Sequence, residues 1–351
     1  MNIYRGRSRL RYAAVGLTTL KNRPPQKRSQ RGLTLIELLV ALVVSSVVVI
    51  AAISALIASR QGFSTVDAAS QLRDNARFAT DLIQRLGVQS GYRDVVYAAS
   101  TRSANNVGVS TTAPANLSGA DNATPSPSAP QNTFIVRTSG IGLGSDILIM
   151  RHQASETYPG SGVADRSMID CAGNTDAVAP TDRDNRMTSI IHVAVSQGEP
   201  SLMCTTVQAD GSTSTPQPII RGVENFQVLY GVENVVPNTP PVPAISDSVA
   251  DRYLRADQLT VAANPIATTE NWKRVRSIRV GLVLRGAVGS AQDASAQTYY
   301  PLGQAKDSSG GAVGSAFSST TDVGTKFEPT PDRRLRQVVT FTIHLRNAQE
   351  L

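Results

Sequence analysis

The chain has 351 residues, 41% hydrophobic and 17% charged, a composition that excludes wholesale disorder. Its formal charge of +7 would suggest an acidic partner if it were evenly spread, but it is not. Residues 1–32 hold nine basic residues (Arg5, Arg7, Arg9, Arg11, Lys21, Arg23, Lys27, Arg28, Arg31) and no acidic one, which leaves 25 basic against 27 acidic over residues 33–351.

After the basic block come 22 residues, Leu38 to Ser59, without a charge. At about 1.5 Å per residue they cross a hydrocarbon core of about 30 Å, so residues 33–59 are expected to form one membrane helix. The positive charge before it predicts a cytoplasmic N-terminus, with everything past Arg60 across the membrane, and excludes a soluble cytoplasmic protein. The helical pattern then continues over residues 60–90, where apolar residues recur at Phe63, Val66, Ala69, Leu72, Ala76, Ala79, Leu82, Ile83 and Leu86. This half is amphipathic and needs a partner surface. Gly62 is a candidate bend, and Gly87 and Gly91 are the expected stop signals.

Residues 101–131 are rich in Ser, Thr, Ala, Asn and Pro and are expected to form a long exposed loop. Strands are expected at residues 133–138, 146–151, 190–195, 202–207, 226–232, 277–285 and 338–345. The clearest alternation sets Ile278, Val280, Leu282 and Leu284 against Arg279, Gly281, Val283 and Arg285, then Val339, Phe341, Ile343 and Leu345 against Thr340, Thr342 and His344, so both are expected to be half-buried. Residues 237–243 and 286–325 are poor in core-forming residues and are expected to be loops. The fold class is therefore α+β: a long N-terminal helix, then a loop-rich antiparallel β domain over residues 91–351.

Cys171 and Cys204 both fall on the non-cytoplasmic side, where oxidising conditions favour a disulfide over two separate buried thiols. The three histidines, His152, His192 and His344, have no metal-ligand spacing, and His344 is expected on a solvated strand face. No Gly-x-Ser-x-Gly elbow precedes a helix, no phosphate loop is present, and the acidic run Asp182-Arg183-Asp184-Asn185 lacks the glycine and distal glutamate of a helix-loop-helix calcium site. No cofactor, metal or enzymatic activity is expected. The short basic groups at Arg333, Arg334 and Arg336 and at Lys273, Arg274 and Arg276 are expected to pair with carboxylates or face water, so no nucleic-acid partner is expected.

The most informative run is Arg31-Gly32-Leu33-Thr34-Leu35-Ile36-Glu37-Leu38-Leu39, in which a glycine precedes the apolar stretch and one glutamate interrupts it five residues later. A secretory signal is cut after its apolar stretch, not before it. The run resembles the prepilin signal of type IV pilins and pseudopilins, with Leu33 where phenylalanine is usual. The resemblance implies that residues 1–32 are a leader, that a prepilin peptidase of the inner membrane cuts between Gly32 and Leu33, and that Leu33 becomes the N-methylated first residue. It implies that Glu37 is an assembly residue: a carboxylate in a membrane helix costs about 2.5–3.5 kcal/mol, and the amine of Leu33 on a neighbouring subunit supplies a partner. The competing reading is a Glu37 that snorkels to the cytoplasmic interface.

Residues 71–86, 91–93, 145–151, 201–204, 222–231, 272–285 and 332–347 together resemble PilW-type minor pilins in order and spacing. That resemblance implies a subunit that primes pilus assembly and sits at the filament tip, with other minor pilins, the major pilin and the inner-membrane assembly platform as partners. The 260 residues after Gly91 suit a tip position better than one repeated along a thin fibre. A minor pseudopilin of type II secretion, which shares the signal and the helix, is the alternative.

Overall fold

A computed structural model of the protein describes residues 32–94, 114–243, 247–304 and 322–347. Of the expected leader, only Gly32 lies among them. The chain divides into two units, residues 1–57 and residues 58–351, and the division falls within the 55-residue helix α1, Leu35–Gln89.

In the first unit every described side chain of α1 is exposed, and the large apolar ones, from Leu35 to Ile57, point in all directions. A helix that is apolar all round and covered by no protein has the character of a membrane span, and this segment has the length for one. Its serines add no unsatisfied donor. Ser45, Ser46 and Ser54 donate back to the carbonyls of Leu42, Val43 and Ile50 at 2.8–2.9 Å.

Within the second unit α1 buries one stripe, Ala68, Leu72, Ala76, Ala79, Ile83 and Leu86 at steps of three and four, with Gly87 beside Leu86. Three alanines and a glycine among seven residues let the helix backbone approach the sheets closely. The expected stripe began too early: Phe63 and Val66 are exposed, so docking starts at Ala68. Helical structure also runs through Gly62 without a break. Gly87 is not a stop but a contact, since a Cβ there would come within 3.0 Å of the Ile343 side chain. The helix ends at Gln89 and the chain turns away at Gly91, whose φ of 79° is left-handed and whose N–H donates to Arg151 O at 2.8 Å.

Two antiparallel sheets follow. The five-stranded sheet has the order β1-β4-β5-β6-β7, with β1 at Leu117–Ala120, β4 at Ile147–His152, β5 at Met187–Ser196, β6 at Glu199–Val207 and β7 at Gln217–Arg221. The four-stranded sheet has the order β11-β10-β8-β9, with β8 at Val223–Val232, β9 at Arg252–Leu254, β10 at Val275–Arg285 and β11 at Arg336–His344. β2 (Ala123–Pro125) and β3 (Phe134–Val136) pair as a separate ribbon. One core joins the α1 stripe to both sheets through Ile191, Leu202, Phe226, Val228, Ile278, Val280, Leu282 and Ile343. Two short helices, α2 (Ala256–Leu259) and α3 (Pro265–Lys273), follow β9; the Asn264 side chain caps α3 by accepting from Ala267 N at 3.0 Å, and Pro265 opens its first turn.

All seven expected strands are present, within a few residues of the expected limits. Two expectations need correction. Of the expected loop at 101–131, residues 101–113 lie outside the described residues, and residues 117–120 and 123–125 are strands, with Leu117 and Ala123 buried. β10 is not half-buried, because the chain at Pro301 and Leu302 lies across its second face: Arg279 donates to Leu302 O at 3.3 Å, and a Cβ on Gly281 would meet Pro301 O at 2.5 Å. β11, an edge strand, keeps the expected half-exposure, with Ile343 buried and His344 exposed.

The contact at Gly87 is open to test. Helix propensity favours Gly87→Ala by about 1 kcal/mol, which offsets a small shift of Ile343, whereas Gly87→Leu adds bulk that the sheet cannot clear and is expected to cost about 1–3 kcal/mol. Thermal melts of the two variants in detergent should place the alanine near wild type and the leucine well below it.

Candidate functional site

The three residues expected to act in processing and assembly, Gly32, Leu33 and Glu37, lie within six residues of one another at the start of α1. Gly32, Leu33 and Thr34 are exposed and precede the helix, and a Cβ on Gly32 would meet nothing within 4 Å. Thr34 is the N-cap and Glu37 closes a capping box with it: Thr34 N and Thr34 Oγ1 donate to Glu37 Oε2 at 3.0 and 3.1 Å, and Glu37 N donates to Thr34 Oγ1 at 3.3 Å. Thr34-x-x-Glu37 is a capping signature readable in the sequence alone. The box fixes the Glu37 carboxylate on the first turn and occupies only Oε2. Oε1 accepts no hydrogen bond among the described residues.

In the globular unit Cys171 and Cys204 form a disulfide with Cα atoms 5.8 Å apart. Both are buried, and the bond ties the long β4–β5 connection to β6. On the chain-entropy estimate a loop of 33 residues contributes roughly 3–4 kcal/mol.

Most residues of the short basic groups pair internally, while Arg333 is exposed. Arg334 pairs with Glu199 at 3.0 Å, Arg285 with Glu199 and Glu224 at 2.8 and 3.0 Å, and Arg336 with Glu224 and Asp332 at 2.6 and 2.8 Å, linking β6, β8, β10 and the start of β11. Arg276 forms a buried pair with Glu233 at 2.7 Å, Lys273 pairs with Glu270 at 2.8 Å, and Arg274 donates to Val242 O at 3.0 Å. Asp182 and its neighbours form a turn in which Asp182 Oδ1 accepts from the amides of Asp184 and Asn185, and no cluster able to hold a metal ion occurs among the described residues.

Sequence reasoning did not find the buried ionisable groups, because they come from separate segments. Asp146 accepts from Asn122 N and Val228 N at 3.0 and 2.8 Å, which joins the two sheets, and burial raises its pKa well above the carboxylate range. Asp121 accepts from Ala256 N and Asp257 N at 3.1 and 2.6 Å; burial, aided by the Asp257 charge, raises it to about 7. Burial and the Asp257 charge also raise Asp322, to about 6. His152 and His192 are buried singly, and loss of water lowers each to about 4. Their effects on stability oppose one another. The aspartates hold protons in the folded state that the unfolded chain has lost, so they make stability fall as pH rises from about 4 towards 7; the histidines resist protonation, so they make it fall as pH drops from 6.5 to 4. With three raised aspartates against two histidines, melting temperature should decline gradually from pH 5 to pH 8. Replacing both histidines by glutamine removes the opposing slope, and that variant should lose stability more steeply than wild type between pH 5 and pH 6.5.

Comparison with known proteins agrees with the motif and with the second half of the chain. Residues 190–347 match the family model of the type IV pilus-assembly protein W, and residues 27–53 match the prokaryotic N-terminal methylation motif. No curated protein matches. Among solved structures, a type IV-like pilin from Thermus thermophilus aligns over 79% of this chain and 97% of its own, with 13% identity and a TM-score of 0.37. The first match covers β5 to β11 and the ion-pair network; the second covers Gly32, Leu33 and Glu37. The chain thus matches the type IV pilus-assembly protein W family over residues 190–347, and the start of its apolar helix lies within a match to the prokaryotic N-terminal methylation motif.

Proposed function

We propose that this minor pilin primes type IV pilus assembly and occupies the filament tip. Before assembly it is held in the inner membrane by α1, with its N-terminus cytoplasmic and its globular unit periplasmic. The observation that carries the reading is the first turn of α1: a capped carboxylate with one free oxygen, at the head of a helix that no protein covers as far as Ile57.

The chemistry follows from that turn. Gly32 sits in open, non-helical chain, so a peptidase reaching the bond between Gly32 and Leu33 has an accessible backbone. A Cβ at position 32 meets nothing within 4 Å among the described residues, so we assign any block to processing by a bulky residue there to the enzyme's own pocket. Cleavage leaves a cationic amine at Leu33, which keeps its charge when methylated. In hydrocarbon an unpaired carboxylate is costly, and Glu37 Oε1 is available to accept from the amine of an adjacent subunit while Oε2 holds the cap. That pairing sets the axial register of the incoming helix. The partners in this reading are other minor pilins, the major pilin, prepilin peptidase and the inner-membrane assembly platform. A match to a pilus-assembly family favours the pilus over a type II secretion pseudopilus. The 260 residues beyond Gly91 favour a terminal position, where bulk need not repeat along the fibre.

Immunogold labelling of sheared pili tests both parts at once. Wild-type pili should carry label at one end only, and a strain with Glu37→Ala should process the protein normally yet show no label on filaments. Label spaced along the shaft would contradict the tip position, and normal end label in the variant would remove Glu37 from assembly.

A further inference from the structure

A groove of about 590 Å³ in the globular unit lies outside everything assigned above. It runs between β1 and the helices α2 and α3, and Arg151 lines it from the penultimate position of β4. Arg151 is 4% exposed. Its Nη1 donates to Ala115 O and Ser118 Oγ at 2.8 and 3.0 Å, and its Nη2 reaches Gln131 O only at 3.5 Å. Each of these partners is neutral, and no carboxylate among the described residues comes within salt-bridge distance, unlike the arginines of the β6–β11 network. A second buried guanidinium, Arg186, adds positive charge nearby; together with burial it lowers Arg151 to about 9, so Arg151 remains cationic at neutral pH. A buried cation supported by neutral acceptors alone is incompletely compensated, and a ligand oxyanion would complete it.

The remaining lining narrows the ligand. Gln131 Oε1 is buried without a hydrogen-bond partner and can accept from a ligand hydroxyl. Asn132, Thr268 and Thr269 add further amide and hydroxyl groups, and Trp272, packed edge-on against Tyr230 at 4.7 Å, supplies an aromatic wall. Asp121 and Asp257 line the groove too, Asp121 held by backbone amides and Asp257 paired to Arg255, so a polyanion meets repulsion that a single carboxylate can avoid. We propose that this groove binds a small hydroxylated carboxylate of the hexuronate type, with its carboxylate on Arg151 and its hydroxyls on Gln131 and the neighbouring threonines.

Trp272 is the sole tryptophan of the chain, so its fluorescence reports on this groove directly. The full-length protein in detergent is titrated at constant ionic strength with glucuronate, glucose and phosphate. A saturable change with glucuronate is expected, at least tenfold weaker with glucose and with phosphate. Arg151→Met, which removes a charge-assisted bond, should weaken glucuronate binding about tenfold or more. Because Arg151 also ties β4 to residues 115–118, Gln131→Met serves if that variant does not fold: it leaves those bonds intact and should weaken binding severalfold. No saturable response to glucuronate, an equal response to glucose or phosphate, or unchanged binding in the folded variant would overturn the proposal.

Discussion

One helix has to satisfy two solvents, and the rest of the structure follows from how α1 does it. Up to Ile57 it is apolar on every side, and from Ala68 to Gly87 it is apolar along one stripe only. The first half is stable only where water is absent; the second is stable only against a sheet. The small residues of the stripe bring the helix near enough for Ile343 on the edge strand to touch Gly87, so the last strand of the fold is fastened to its first element. Gly91 then turns the chain out of the helix in a backbone conformation that other residues adopt at a cost.

The globular unit has a different problem. The links between β4 and β5, β8 and β9, and β10 and β11 are long, so the elements they join are not held in place by short turns. Polar devices from distant segments take over. The disulfide fastens one connection, the Glu199, Glu224 and Asp332 pairs fasten β11 to β8 and β6, and Asp146 joins the sheets by accepting an amide from each side. The cost appears in the raised carboxylates, which are retained where their hydrogen bonds fix geometry that side-chain packing does not.

The elements with a clean period were legible in the sequence: α1 and the strands β3, β4, β5, β6, β8, β10 and β11. β1, β2, β7 and β9 were not, since runs such as Leu117–Ala120 and Gln217–Arg221 contain Ser, Gly, Pro or Gln and become strands only because a neighbour offers an edge. The second cover on β10 was equally hidden, because nothing near Gly281 in sequence announces Pro301. α3 was missed despite a readable start in Asn264-Pro265. In the assembly segment the glycine, the glutamate and the apolar run were plain in the sequence, whereas the freedom of Glu37 Oε1 needed coordinates. The groove at Arg151 was beyond reach: it is made by β1, β4 and α3 together, and an arginine's want of a carboxylate is a three-dimensional fact.

In the processing we propose, the charge that dominates the sequence leaves with residues 1–32, and the groups assigned to assembly are one amine at Leu33 and the carboxylate of Glu37. The intact mass of the protein isolated from the membrane tests this most directly. The account predicts the mass of residues 33–351 with one added methyl group, located by fragmentation on the amine of Leu33. A chain that retains residues 1–32, or that begins elsewhere without a methyl group, would contradict it.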